Sequence, residues 1–442
     1  MTPLRLARSA LLFAEAMHQR RVPYFPIDRI QGIQQERLRR MVRHAYETVP
    51  YYGKVMRGLG VQPEDFRTVE DLARLPLIDR QTVSACPSDF RSRLFDPAAC
   101  IELGSGSGTI TEWDRESTLR RLVYLERDRV AWLKLGRIGL HHKQLYVLSY
   151  KSSTLISRRF WESKVRMPRF LVERHYLDPV EPYEKAAEAL ERIRPEVAFS
   201  YGSYLEQFAR FLRDRRISPP MPRVWVFGAD LISEHWRSVV EREFGCQVLS
   251  VYSSTEVDRI GFECERRSGH HLNIDLCAVR FLKEDGSDAA PGETGEVVIS
   301  GLLNRATVLF NYRLGDLAEP GGDKCACGRS LPLMRRFQGR VSEVVRLADG
   351  RRLPSTVLLG KFADELGRAL KVQVISPRPG SIVWTIVPGA SLDREPFRLR
   401  LLARCREVFQ NQAETSVRFV EGIVPAQSGK FHLVIQSTEP ET

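Results

Sequence analysis

The chain has 442 residues, 43% hydrophobic and 28% charged, with 25 Pro and 30 Gly spread along it. That is an ordinary globular composition, too long for one small core, and it points to two or three domains. Its 67 Lys+Arg against 55 Asp+Glu give +12, but the arginines are interleaved with acids, as at Glu173-Arg174 and Glu241-Arg242-Glu243. With no basic tail or stripe, a nucleic-acid partner is not expected, and the positive field suits anionic small molecules.

The short apolar stretch Leu11-Leu12-Phe13-Ala14 is broken by Glu15 and His18, and no apolar run approaches the length of a membrane span. The 8 Cys form no dense framework. A cytoplasmic protein with reduced or metal-bound thiols is therefore expected. From residue 33 to 48 the apolar positions Leu38, Met41, Val42 and Ala45, followed by Val49, mark an amphipathic helix that stops before Pro50. It belongs to a helical cap of about residues 1–60. Strands are predicted at 145–148, 197–199, 223–227 and 247–251, with helices at 183–193 and 233–244, an alternation that argues for a parallel sheet flanked by helices. After residue 276 the period becomes two, at 276–283 and 295–301 around Glu284-Asp285-Gly286 and Pro291-Gly292, as in hairpins of a β-rich subdomain over about 276–338. From 341 onward the pattern reads strand, helix, two strands, helix, strand, a β-α-β-β-α-β unit. The fold class is thus α/β and α+β multidomain: a large N-terminal domain over 1–339 and a small C-terminal domain over 340–442.

Tyr201-Gly202-Ser203, Gly228-Ala229-Asp230 and Tyr252-Ser253-Ser254-Thr255-Glu256 each follow the carboxyl end of a predicted strand, the edge where open α/β sheets bind ligands. Gly104-Ser105-Gly106-Ser107-Gly108-Thr109 offers backbone N–H groups and hydroxyls to phosphate, although no Gly-Lys-Ser/Thr follows, and such a stretch alone is more often a flexible loop than a phosphate site. Tyr252 can stack on a base and Glu256 can hold Mg²⁺. Asp316, in Tyr312-Arg313-Leu314-Gly315-Asp316, can accept from ribose hydroxyls, and Arg340 can add a donor. Lys430, in Ser428-Gly429-Lys430, is a cation for charge building at phosphorus. Cys325-Ala326-Cys327, with Cys264 and His270-His271 some 55 to 60 residues before it, supplies the Cys264, His271, Cys325 and Cys327 set of a structural Zn²⁺ site; two reduced surface cysteines are the alternative.

Taken in order, these motifs resemble the ANL superfamily of adenylate-forming enzymes, most of all its branch of phenylacetate–coenzyme A ligases and capsular-polysaccharide-associated homologues. Residues 43–52 (RHAYETVPYY), residues 72–77 (LARLPL) and the Cys-x-Cys-Gly-Arg cluster are similar to that branch. The resemblance implies ATP-dependent activation of a small-molecule carboxylate as acyl-AMP, with pyrophosphate release. Transfer by default to coenzyme A follows, with an amine, a saccharide hydroxyl or a carrier-protein thiol as alternative acceptor; a non-catalytic nucleotide-binding homologue is the remaining reading. It implies Ser105, Ser107 and Thr109 on the ATP phosphates, Gly228, Ala229 and Asp230 along adenine, and Tyr252, followed by Ser253, stacked on the base. Thr255 would touch the α-phosphate, Glu256 would hold Mg²⁺, Asp316 would bind the ribose with Arg340 assisting, and Lys430 would bridge carboxylate and α-phosphate. The C-terminal domain would be mobile about a hinge near Ser342. The chain departs from the pattern at Thr109-Ile110-Thr111, where Lys and Pro are usual, at Ser253, where Gly is usual, and at Ser342, where Asp is common. A carrier-protein or biosynthetic partner and self-association stay open.

Overall fold

The structure, a computed structural model, describes residues 3–104, 110–165, 172–322, 324–341, 343–366, 369–389, 392–423 and 432–436. The helix Ile27–Thr48 buries Ile30, Gln34, Leu38, Met41, Val42 and Ala45 on one stripe. Val49 is extended (φ −102°, ψ 116°), as a residue before proline must be, and Pro50 opens the next helix, Pro50–Leu59.

Strands β1 (Ile101–Gly104) and β2 (Ile110–Trp113) form an antiparallel pair. Eleven further strands build one sheet: β3 (His142–Val147), β4 (Val172–Leu177), β5 (Val197–Tyr201), β6 (Val224–Gly228), β7 (Gln247–Ser254), β8 (Asp258–Glu263), β9 (His270–Leu272), β10 (Cys277–Leu282), β11 (Gly295–Gly301), β12 (Tyr312–Pro320) and β13 (Leu333–Arg340). Their order is β10-β11-β12-β13-β9-β8-β7-β6-β5-β3-β4. The β4-β3-β5-β6-β7 half is parallel and buried on both faces, as parallel sheets are. Leu145, Ala198, Trp225 and Val248 pack with Leu190, Phe208 and Trp236 of the helices Tyr183–Ile193, Gly202–Arg215 and Glu234–Glu243. Val197, Val224, Val226 and Leu249 meet Ile30, Ala131 and Trp132 on the other side.

The β-rich region does not start a sheet of its own at 276. Antiparallel pairing begins inside β7, whose residues 247–250 pair with β6 and residues 251–254 with β8. The three residues 255–257 between β7 and β8 are too few for a crossover, so the chain must turn back antiparallel.

The C-terminal region also differs from its predicted order. The segment read as a first strand is a separate hairpin, β14 (Val344–Arg346) with β15 (Arg352–Pro354), turned at Asp349-Gly350. A four-stranded sheet follows, β16 (Ala369–Ile375), β17 (Ser381–Pro388), β18 (Glu414–Phe419) and β19 (Val434–Ile435), ordered β18-β17-β16-β19. Strand β19, only two residues long, has no counterpart in the predicted order, and Lys430 falls in the sequence between β18 and β19.

A buried ionic knot ties the N-terminal helices to the sheet. Arg127 donates to Asp275 Oδ1 (2.7 Å) and Oδ2 (2.8 Å), to Asn273 Oδ1 (3.0 Å) and to Gln19 Oε1 (2.9 Å). Arg37 reaches the same carboxylate at 2.9 Å. Burial opposes ionisation of Asp275, but Arg127 and Arg37 outweigh it and hold the carboxyl below its usual range. Among the described residues, no helix is long and apolar enough to cross a membrane.

Candidate active site

A cleft of about 900 Å³ lies along the carboxyl ends of β5, β6 and β7, with β12, β13 and C-terminal residues such as Lys371 and His432 on its far wall. Gly228, Ala229, Asp230, Tyr252, Ser253, Thr255, Glu256, Asp316 and Arg340 all line it. Ser105, Ser107, Thr109 and Lys430 lie outside the described residues. Gly104 and Ile110, which bracket the first three, pair across the β1–β2 ladder, and Gly104 is on the cleft wall.

At the end of β6, a Cβ on Gly228 would come within 2.9 Å of the Val251 side chain and 3.0 Å of its carbonyl oxygen. Only glycine lets β6 and β7 approach this closely. Ala229 then takes a left-handed φ of 69°, and Asp230 turns toward the next loop. Its carboxylate accepts from the backbone N–H of Ser203 at 3.0 Å and from the Ser203 hydroxyl, capping the helix Gly202–Arg215. Glu206 of that helix accepts in return from Ser233 N and Oγ, both at 2.9 Å, and Ser233 caps the helix Glu234–Glu243. The Asp230 carboxylate is thus a structural tie between two rim loops, a commitment its motif does not reveal.

Tyr252 and Asp316 are 64 residues apart, yet the phenol donates to Asp316 Oδ2 at 2.8 Å. Burial is the largest cause of the raised Tyr252 pKa, reinforced by the Asp316 charge, so the hydroxyl stays protonated and remains a donor. Arg340, the register partner of Asp316 across β12 and β13, stands 3.5 Å from Oδ1. Gly339 before it has φ 108°, and a Cβ there would fall 2.6 Å from Ser355 Oγ.

The turn after β7 carries Thr255 and Glu256, both buried, with the Thr255 hydroxyl donating to Glu256 Oε2 at 3.2 Å. The Thr255 carbonyl accepts from Thr111 Oγ1 at 3.1 Å and from Trp113 Nε1 at 3.0 Å. Thr111, which stands out in the sequence as a departure from the family pattern, is fully buried and grips the turn from β2.

Ligand atoms of Cys264, His271, Cys325 and Cys327 all lie within 4.8 Å of one another. Cys264 Sγ is 3.7 Å from Cys325 Sγ, and Cys327 Sγ is 3.3 Å from His271 Nε2. Metal–sulfur bonds of about 2.3 Å put two thiolates on a tetrahedron roughly 3.8 Å apart, so the donor set and the spacing fit a closed Cys₃His centre. His271 Nδ1 lies 3.2 Å from the Leu331 carbonyl, which orients the ring with Nε2 toward the thiols. Burial pushes the His271 pKa down to about 4, leaving the imidazole neutral, the form that binds metal.

The neighbouring His270, named with His271 in the sequence but left out of the ligand set, lies elsewhere. Strand alternation turns it away from the thiols and onto the cleft wall, its ring 6.5 Å from that of Tyr252 and its Nε2 without a hydrogen-bond partner among the described residues. Arg121, Asp258 and Arg259 also line the cleft without any motif to announce them.

No protein-family model matches the chain. The phenylacetate–coenzyme A ligase of Thermus thermophilus is 25% identical over 345 residues, 74% of each chain. Among solved structures, 2-hydroxyisobutyryl-CoA ligase in the postadenylation state, in complex with R3-HIB-AMP, superimposes with a TM-score of 0.78 at 15% identity, over 94% of this chain and 91% of that one. The same ligase in its thioesterification state, with 2-HIB-AMP and CoA, gives 0.62 at 16% identity over 94% and 91%. The resemblance drawn from the motifs thus extends over about three quarters of the sequence and nearly all of the fold.

Proposed function

We infer that the chain is an adenylate-forming enzyme of the ANL superfamily, in its phenylacetate–coenzyme A ligase-like branch. It activates a carboxylic acid with ATP as an acyl-adenylate, releases pyrophosphate and passes the acyl group to coenzyme A. The observation that carries this reading is the convergence of Gly228, Tyr252, Glu256, Asp316 and Arg340, spread over more than 100 residues of sequence, on one cleft at the carboxyl edge of a parallel sheet. A carboxylate oxygen attacks the α-phosphorus, the bond to the β-phosphate oxygen breaks, and pyrophosphate leaves. Holding both reactants in line supplies most of the advantage. Tyr252, Asp316 and Arg340 hold the nucleoside, and Thr255 meets the α-phosphate. Glu256 would hold Mg²⁺, which offsets charge on the phosphate oxygens; its place on the gripped turn suits that role. The better match to the postadenylation form supports reading this arrangement as the adenylation side of a two-pose cycle.

Pyrophosphate release measured over a panel of aryl, alkyl and hydroxy acids, with and without coenzyme A, tests the proposal. Release with no acid at all on the panel would refute it, and release without thioester formation would move the acceptor to an amine, a saccharide or a carrier thiol. Asp316→Ala is expected to raise KM for ATP by about 10–100-fold, the loss of a charged hydrogen-bond acceptor, with little change in KM for the acid. Equal rises in both constants would take Asp316 out of nucleotide binding.

The Cys₃His cluster is read as a structural Zn²⁺ site. Elemental analysis is expected to find about one zinc per chain, lost in Cys325→Ser together with thermal stability. Unchanged stoichiometry in that variant would sink the site.

A further inference from the structure

Beyond the turn at Thr255 and Glu256, the cleft wall holds charged residues to which the reading above gives no nucleotide or metal role. Arg121, on the helix Arg115–Tyr124, donates to Asp258 Oδ1 at 2.6 Å and to Ser157 Oγ at 2.9 Å. Its guanidinium sits 4.9 Å from the centre of the Trp113 ring. The Arg121 and Asp258 side chains are 5% and 11% exposed, and both residues line the cleft with Ser157. Asp258 holds a left-handed φ of 71°, a conformation that costs a residue with a Cβ and that persists where the surroundings impose it, often at functional sites. Beside it Arg259, also on the wall, reaches Asp128 at 3.4 Å, while its buried Nε has no hydrogen-bond partner among the described residues.

Two adjacent buried Arg–Asp pairs are a poor way to stabilise a core, because the ions lose hydration and a packed apolar set does as well or better. They are equally unsuited to a pocket for a plain aryl or alkyl acid, whose tail would desolvate them without forming a bond. A hydroxyl group fits, since it accepts from one neighbour and donates to another. Arg121 spends two of its five N–H donors on Ser157 and Asp258, which leaves donors for a ligand oxygen. Tyr146 and Phe199, stacked 4.5 Å apart at 8°, add flat apolar wall to the same cleft.

We propose that Arg121, Asp258 and Arg259 form the polar end of the acyl pocket, and that the chain's substrates are hydroxylated carboxylic acids. The substrate hydroxyl accepts from an arginine N–H and donates to the Asp258 carboxylate. This rests on the adenylation reading above. Sites that bond a substrate hydroxyl reject the analogue lacking it strongly, because the buried groups are then left unpaired.

The test uses the full chain and matched acids that differ by one hydroxyl, such as 4-hydroxyphenylacetate with phenylacetate and 3-hydroxybutyrate with butyrate. Pyrophosphate release should favour the hydroxylated member of at least one pair by about 100-fold or more in kcat/KM. Arg121→Met and Asp258→Asn should shrink that preference to below about 10-fold, by loss on the hydroxylated acid alone. Ser157→Ala, the mildest change, should reduce it in part, and covers the case in which the larger variants do not fold. Equal use of both members in every pair overturns the proposal. So does a uniform loss on both acids in the variants, which a pair serving only to hold the Thr255–Glu256 turn would produce. Absence of pyrophosphate release from every acid would instead overturn the adenylation reading itself.

Discussion

Alanine at position 430 is expected to lower carboxylate-dependent ATP–pyrophosphate exchange by about 10²–10³-fold, the usual loss when one donor to developing transition-state charge is removed. KM for ATP should change only a few-fold, because the proposed nucleoside contacts, Tyr252, Asp316 and Arg340, do not involve Lys430. The described residues nearest to Lys430 on its C-terminal side begin at His432. His432 pairs with Glu343 at 2.9 Å, its carbonyl accepts from Gln373 Nε2 at 3.0 Å, and Gln436 Nε2 donates to the Val344 carbonyl at 2.7 Å. Residues 432–436 are therefore moored beside β14 and β16. Acyl transfer from supplied acyl-AMP to coenzyme A should survive Lys430→Ala, because that step needs no charge at the α-phosphorus from this side. Exchange at the wild-type rate would remove Lys430 from the mechanism.

Asp275→Ala should destabilise the N-terminal region by about 3–5 kcal/mol, the cost of leaving a buried charge without its partner. Arg127 is fully buried, and neither Asn273 nor Gln19 brings a negative charge to replace the carboxylate. Urea unfolding followed by tryptophan fluorescence measures the shift. The paired change Arg127→Met with Asp275→Leu should recover most of the loss, since the pair is worth far less than either uncompensated ion. Because the folded carboxyl is held below its unfolded value, its contribution is complete above about pH 4 and is lost as pH falls through the depressed folded value. A shift below about 1 kcal/mol would mean that water reaches Arg127.

What could be read from sequence followed from whether burial was apolar. The helix Tyr183–Ile193 has the predicted bounds because Ala186, Ala187, Leu190 and Ile193 are all buried. The helices Arg115–Tyr124 and Glu126–Gly136 gave no comparable signal, because their buried positions include Arg121, Arg127 and Asp128. Charge hidden by pairing breaks the apolar stripe on which pattern reading depends. Strand β19 was too short to carry a period. In the site, the motif residues could be picked out but their partners could not. The bond from Tyr252 to Asp316 and the grip of Thr111 on Thr255 span 64 and 144 residues. No local rule links positions that far apart. Asp230 is a further case: it lines the cleft, and no motif announces that its carboxylate also caps the helix Gly202–Arg215.

The change of partner midway along β7 has a practical consequence for anyone who wishes to open or extend this chain. The strand is the single seam through which the parallel and antiparallel halves share a backbone, and the turn that bears Thr255 and Glu256 is its direct continuation. A cut or a tag over 247–250 would break the parallel ladder, and one over 251–263 the antiparallel ladder or the turn that bears Thr255 and Glu256. The exposed residues 291–294, between β10 and β11 at the far edge of the sheet, interrupt no strand that reaches the cleft. New termini or an inserted reporter domain belong there.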